Sequence, residues 1–170
     1  MRIYLVGYMA SGKTRLGMTL AETIGFSFAD TDDIFEERYR IDIADFFQKY
    51  SEFEFRKIER QVLRDTGSLE RTIIATGGGT PCFEDNMAFI KLSGTSIYLK
   101  WDPQILAERL KKSRYQRPIL MNIQPGELEE TIQRHLTERE HYYLQADYVY
   151  EGGITRNEDL IEWLKRRLEL

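Results

Sequence analysis

Short apolar runs alternate with longer segments of helical periodicity from one end of the chain to the other. Residues 3–6 read as a buried strand that stops at Gly7, and residues 13–24 as a helix with Leu16, Leu20 and Ile24 on one face. Residues 27–29 form a short strand running into Asp30. Residues 43–50 and 51–64 have helical spacing, the second with Phe55, Ile58 and Val62 along one stripe. The β-branched run 72–75 is a strand closed by Gly77, Gly78 and Gly79. Beyond it the pattern gives a helix at 84–92, a strand at 96–101, a helix at 103–111, a helix at 127–144 and a last strand at 147–150. Pro103 opens the third of these, where a missing N–H costs little. Leu160, Ile161, Leu164 and Leu168 mark a C-terminal amphipathic helix, and Lys165, Arg166 and Arg167 suit its negative end.

Strands that alternate with helices throughout predict an α/β fold: a five-stranded parallel sheet flanked by helices on both faces. No repeat, low-complexity stretch or linker interrupts the pattern, so residues 1–170 are expected to form one domain. Ligands of such sheets bind beyond the carboxyl ends of the strands. Three predicted strands end there in chemically loaded turns, at Gly7, Asp30 and Gly77, which should converge on one cleft.

Composition narrows the classes. A net charge of −4 argues against a general nucleic-acid binder, although a local basic pocket remains possible. The lone Cys82 cannot form an internal disulfide, and His135 and His141 are too few to build a zinc cluster with it. One thiol fits a reducing compartment, and the expected location is the cytoplasm. No apolar run approaches the roughly 18 residues of a membrane span, and residues 2–7 are too short for a secretory h-region.

Gly7-Tyr8-Met9-Ala10-Ser11-Gly12-Lys13-Thr14 satisfies G-x-x-x-x-G-K-S/T in full, after a strand and opening a helix. The glycines let successive N–H groups turn inward as an anion nest, and the helix adds its positive end. Lys13 supplies a cation for the β- and γ-phosphates, and Thr14 a hydroxyl for Mg²⁺. The residues expected to bind ATP are Gly7, Ala10, Ser11, Gly12, Lys13, Thr14 and Arg15. The bland alternative is a chance glycine turn. No Asn-Lys-x-Asp guanine motif is present, and no apolar run closes on an aspartate as in a Walker B strand. That combination fits a kinase acting on a small molecule.

Further segments follow in order: Asp30-Thr31-Asp32; Phe55-Arg56-Lys57-Ile58-Glu59, preceded by Ile43-Ala44-Asp45-Phe46-Phe47; Ala75-Thr76-Gly77-Gly78-Gly79; Arg117-Pro118-Ile119-Leu120; and Arg139 with Tyr143 and Ala146-Asp147. From about residue 3 to 150 this set resembles the shikimate kinase family. The resemblance implies a P-loop kinase fold with substrate-binding helices at about 31–64 and a mobile lid at about 111–123. It also implies transfer of the γ-phosphate of ATP to the 3-hydroxyl of shikimate in aromatic amino-acid biosynthesis. A monomer with no nucleic-acid or membrane partner is expected.

The resemblance implies that Asp30 is an outer-sphere Mg²⁺ partner beside Thr14 and that Asp32 binds the substrate hydroxyls. Alternate residues at a strand end point the same way, so both carboxylates could face the cleft. The competing reading is a helix cap. Arg56 would grip the substrate carboxylate with its planar fork, fixed by Glu59 one turn on, although an Arg–Glu pair is common on exposed helices. Gly78 would present bare backbone to the substrate. Arg117 would stabilise the transferring phosphoryl from the lid, Arg139 would be the second carboxylate clamp, and Arg156 would lie against the adenine. Lys13, Asp32 and Arg117 are thus the expected catalytic groups. The sequence departs from the family at Ala10 and Ser51, commonly Gly, at Arg15, often Thr or a small residue, and at His141, usually Pro. Rival readings are a kinase for another sugar acid such as gluconate, and a silent nucleotide-binding relative.

Overall fold

The computed structural model describes residues 1–112, 126–152 and 157–168. All five strands form: β1 (Arg2–Val6), β2 (Ser27–Asp30), β3 (Thr72–Ala75), β4 (Thr95–Lys100) and β5 (Tyr148–Glu151). They pair in parallel in the order β2-β3-β1-β4-β5. Among the described residues eight helices connect them: α1 (Lys13–Ile24), α2 (Thr31–Tyr39), α3 (Ile43–Lys49), α4 (Glu52–Asp65), α5 (Asn86–Ser93), α6 (Pro103–Lys112), α7 (Leu128–Tyr143) and α8 (Asn157–Leu168).

The alternation of side chains along β1 builds two of the cores. Ile3 and Leu5 face α1 and α8 through Leu16, Leu20, Ile161 and Leu164. Tyr4 and Val6 face the other layer, with Leu63, Ile90, Leu106 and Ile132 from α4 to α7. A third core lies apart from the sheet, where Phe35, Phe46, Phe55 and Val62 of α2, α3 and α4 pack together. The Phe35 ring meets Phe46 and Phe55 in edge-on contacts at 5.3 and 5.1 Å.

Two local readings change. The helix expected at 84–92 begins at Asn86, because Glu84 takes a left-handed φ of 46° and breaks the turn before it. Asp30 ends β2 and Thr31 already begins α2, so Asp30 and Asp32 are not alternate residues of one strand. His141 does not disturb the backbone around Arg139, since α7 runs unbroken to Tyr143.

The register aligns the functional turns. Asp30 pairs with Ala75, and Ala75 with Leu5, so the loops after β2, β3 and β1 start side by side at one rim.

Ser51 shows why its departure from glycine is tolerated. Its hydroxyl accepts the Glu54 N–H at 3.2 Å while the Glu54 carboxylate accepts the Ser51 N–H at 3.0 Å, a complete capping box for α4. Ser51→Ala is expected to cost about 1 kcal/mol, lowering Tm by about 2–4 °C in thermal denaturation. An unchanged Tm would show that water replaces the box.

Candidate active site

The loop from Gly7 to Thr14 has the conformation its glycines predict. Gly7 and Gly12 sit at φ 141° and 92°, and Ala10 joins them at φ 60°. The first α1 hydrogen bond runs from the Leu16 N–H to the Gly12 carbonyl at 2.9 Å, leaving the first-turn amides to face the loop. Lys13 is buried, and its ammonium donates to the carbonyls of Gly7 and Tyr8 at 2.8 and 2.9 Å and to the Ser11 hydroxyl at 3.3 Å. The Thr14 hydroxyl donates to Asp30 Oδ2 at 2.7 Å. The other Asp30 oxygen accepts the Asp32 N–H at 3.0 Å, so Asp30 caps α2 and reaches the phosphate loop at once. Arg15 is exposed on the first turn of α1.

A cleft opens beside this loop, lined by Met9, Asp32, Phe55, Arg56, Gly78 and Arg139 among others. Sequence reading named four of these, and they come from α2, α4, the turn after β3, and α7. Arg56 donates to Glu59 at 2.6 Å, with a longer contact to Glu52 at 3.3 Å. Burial works against the Arg56 charge, but Glu59 and Glu52 outweigh it and hold its pKa above the ordinary value. Glu59 is only 3% exposed, and its second oxygen accepts the Thr80 hydroxyl at 2.6 Å.

The glycine turn is crowded where side chains would stand. A Cβ on Gly79 would run into the Arg56 guanidinium, one on Gly77 would lie 2.8 Å from Asp32 Oδ1, and one on Gly78 would lie 3.1 Å from the Met9 nitrogen of the phosphate loop. Among the described residues the N–H groups of Gly78 and Gly79 donate no hydrogen bond.

A family model for shikimate kinase matches residues 9–169. The chain belongs to the shikimate kinase family. It is 41% identical over 149 residues to the shikimate kinase of Bacteroides fragilis, covering 88% of this chain and 83% of that protein. The shikimate kinase crystal structure from Bacteroides thetaiotaomicron superposes with a TM-score of 0.93 at 36% identity, covering 100% of this chain and 99% of that one. The shikimate kinase from Acinetobacter baumannii in complex with shikimate superposes with a TM-score of 0.89 at 32% identity, over 99% and 93% of the two chains.

Within this shikimate kinase fold, Arg117, Arg156 and nearly all of the expected lid lie outside the described residues. Several contacts escape the sequence because they join distant elements. Arg109 of α6 lies 3.8 Å from the Trp101 ring centroid and donates to the Ala10 carbonyl at 3.3 Å, giving the phosphate loop a planar cationic neighbour. The buried Tyr8 hydroxyl lies 2.7 Å from His135 Nδ1. Burial pushes its pKa up to about 12, against the pull of Arg139. Burial, followed by the Arg139 charge, lowers His135. Only Tyr8 had a sequence signal, as an aromatic inside the phosphate motif.

Ala10 carries a testable strain. A left-handed backbone costs an L-residue roughly 1 kcal/mol or more, and glycine removes that cost at the expense of chain entropy. Ala10→Gly is expected to raise the unfolding free energy by about 0.5–1 kcal/mol, measured by urea denaturation. A loss of stability would mean that the Ala10 methyl makes a compensating contact.

Proposed function

We propose that this chain transfers the γ-phosphate of ATP to the 3-hydroxyl of shikimate, yielding shikimate 3-phosphate and ADP. The observation that carries the reading is the contact between two turns. Gly78, which borders the acceptor cleft, abuts Met9 of the phosphate loop, so an acceptor held there lies against the terminal phosphate.

The acceptor side suits a hydroxylated carboxylate. Arg56 and Arg139 border one cleft as two guanidinium groups that match a carboxylate's oxygens. Asp32 borders the same cleft and would orient the attacking hydroxyl or take its proton as the new O–P bond forms and the bond to ADP breaks. Lys13 would exchange its loop carbonyl contacts for the β- and γ-phosphate oxygens. Arg109 would offer its planar face on the nucleotide side. Positioning and charge stabilisation supply most of the catalysis in phosphoryl transfer, and these groups supply both. The resemblance adds Arg117 to them.

Magnesium fits the donor set. The Thr14 hydroxyl and Asp30 carboxylate stand side by side at the loop, and among the described residues no group of three or more His, Cys, Asp or Glu could cage a cation. Few protein ligands suit an ion that keeps its waters and shares the phosphates. When bound, magnesium would neutralise charge building on the β- and γ-phosphate oxygens. Thr14 would contact it, and Asp30 would act through a water. The lone thiol of Cys82 fits a reducing compartment, the cytoplasm.

A coupled ADP-release assay over a panel of polyols and sugar acids tests the acceptor. Shikimate is expected to turn over fastest, and faster turnover of gluconate would overturn the assignment. Arg56→Lys should raise KM for shikimate about tenfold or more, because one arm of the fork is lost. KM for ATP should stay within about twofold. An unchanged shikimate KM would remove Arg56 from the acceptor site.

A further inference from the structure

One face of α7 reaches the site at three successive turns. His135, Arg139 and Tyr143 are four residues apart and therefore lie in a row. His135 meets Tyr8 of the phosphate loop, and Arg139 borders the cleft. Tyr143 donates its hydroxyl to the Gly78 carbonyl at 2.5 Å.

A buried tyrosine hydroxyl needs some partner, so the choice of partner matters more than the bond itself. Tyr143 is fully buried, with its ring 5.1 Å from Tyr98, and burial holds its pKa well above the ordinary value. The hydroxyl proton therefore stays in place to be donated. Cys82, which interacts with the same hydroxyl, is pushed up to about 11 by burial and stays a thiol. The acceptor of the Tyr143 proton belongs to a run of three glycines, whose backbones have no side chains to restrain them.

Each peptide of that run is held from outside. The Gly77 N–H donates to Thr31 Oγ1 at 3.0 Å, and the Gly77 carbonyl accepts the Thr80 N–H at 3.2 Å. The Gly79 carbonyl accepts the Cys82 N–H at 3.0 Å, and Tyr143 holds the Gly78 carbonyl. Carbonyl and N–H point oppositely across a trans peptide. Fixing the Gly78 carbonyl against α7 therefore sets the direction of the Gly79 N–H and limits ψ of Gly78. We propose that Tyr143 is a positioning residue for the acceptor, its hydroxyl holding the glycine turn in the conformation that presents free amides to the cleft.

This inference rests on the shikimate kinase reading, and wild-type turnover of shikimate is measured first, so the two can fail separately. Tyr143→Phe removes only the hydroxyl. KM for shikimate should rise about fivefold or more while KM for ATP stays within about twofold, a split that a general loss of folded protein would not produce. Tyr98→Phe is the control, since Tyr98 is equally buried beside Tyr143 but donates to Glu140 instead, at 3.4 Å. Its shikimate KM should not move. A Tyr143→Phe enzyme with an unchanged shikimate KM, or with both KM values raised together, would overturn the proposal. The wild-type chain gives a reading independent of the variant's folding. The buried Tyr143 hydroxyl proton should shift in NMR spectra when shikimate is added and hold its position when ADP is added. A resonance indifferent to shikimate would also overturn the proposal.

Discussion

The carboxylate of Glu59 is the constraint on which the cleft beside Arg56 depends. It is buried, and a buried charge is tolerated only when paired and hydrogen-bonded. One oxygen takes Arg56 and the other takes Thr80, so the charge that demands compensation joins α4 to the turn after β3. The same pair fixes the direction of the guanidinium. The Arg56 fork is therefore held in one direction and does not swing on a flexible stem, as an exposed arginine would. Gly79 completes the arrangement by leaving open the space that the guanidinium fills.

On the nucleotide side the sheet does the equivalent work. β1 and β3 are adjacent parallel strands, so the turns that follow them emerge at the same rim and touch. The separation of the two turns is thereby set by the spacing of neighbouring strands, which is among the least variable lengths in a protein. Asp30 ties the third loop into this rim by serving Thr14 with one oxygen and the backbone of α2 with the other.

Most of the frame was legible in the sequence because it rests on local signals. The phosphate motif, the hydrophobic periodicity and the glycine triplet each declare themselves within a few residues. The pairing of Arg56 with Glu59 followed from helix spacing alone. The geometry of Asp30 and Asp32 is not legible in the sequence, because the change from strand to helix falls between two polar residues where no periodicity marks it. The expected cap and the expected contact with Thr14 proved compatible, since a carboxylate has two oxygens. Arg109, the Tyr8–His135 pair and the Tyr143–Gly78 bond were invisible for a different reason. Each joins residues between 65 and 127 positions apart, which sequence spacing does not encode.

The separate aromatic core of α2, α3 and α4 has a thermodynamic consequence. Phe35, Phe46, Phe55 and Val62 form a cluster distinct from the two that flank the sheet, and such clusters loosen as cooperative units below the global unfolding limit. The helices bearing Asp32 and Arg56 thus have their own local stability, and any ligand gripped by those side chains adds to it by mass action. A ligand held by those side chains would therefore bias how often that cluster opens to proteases, through helices that Leu63 and Glu59 also tie to the sheet.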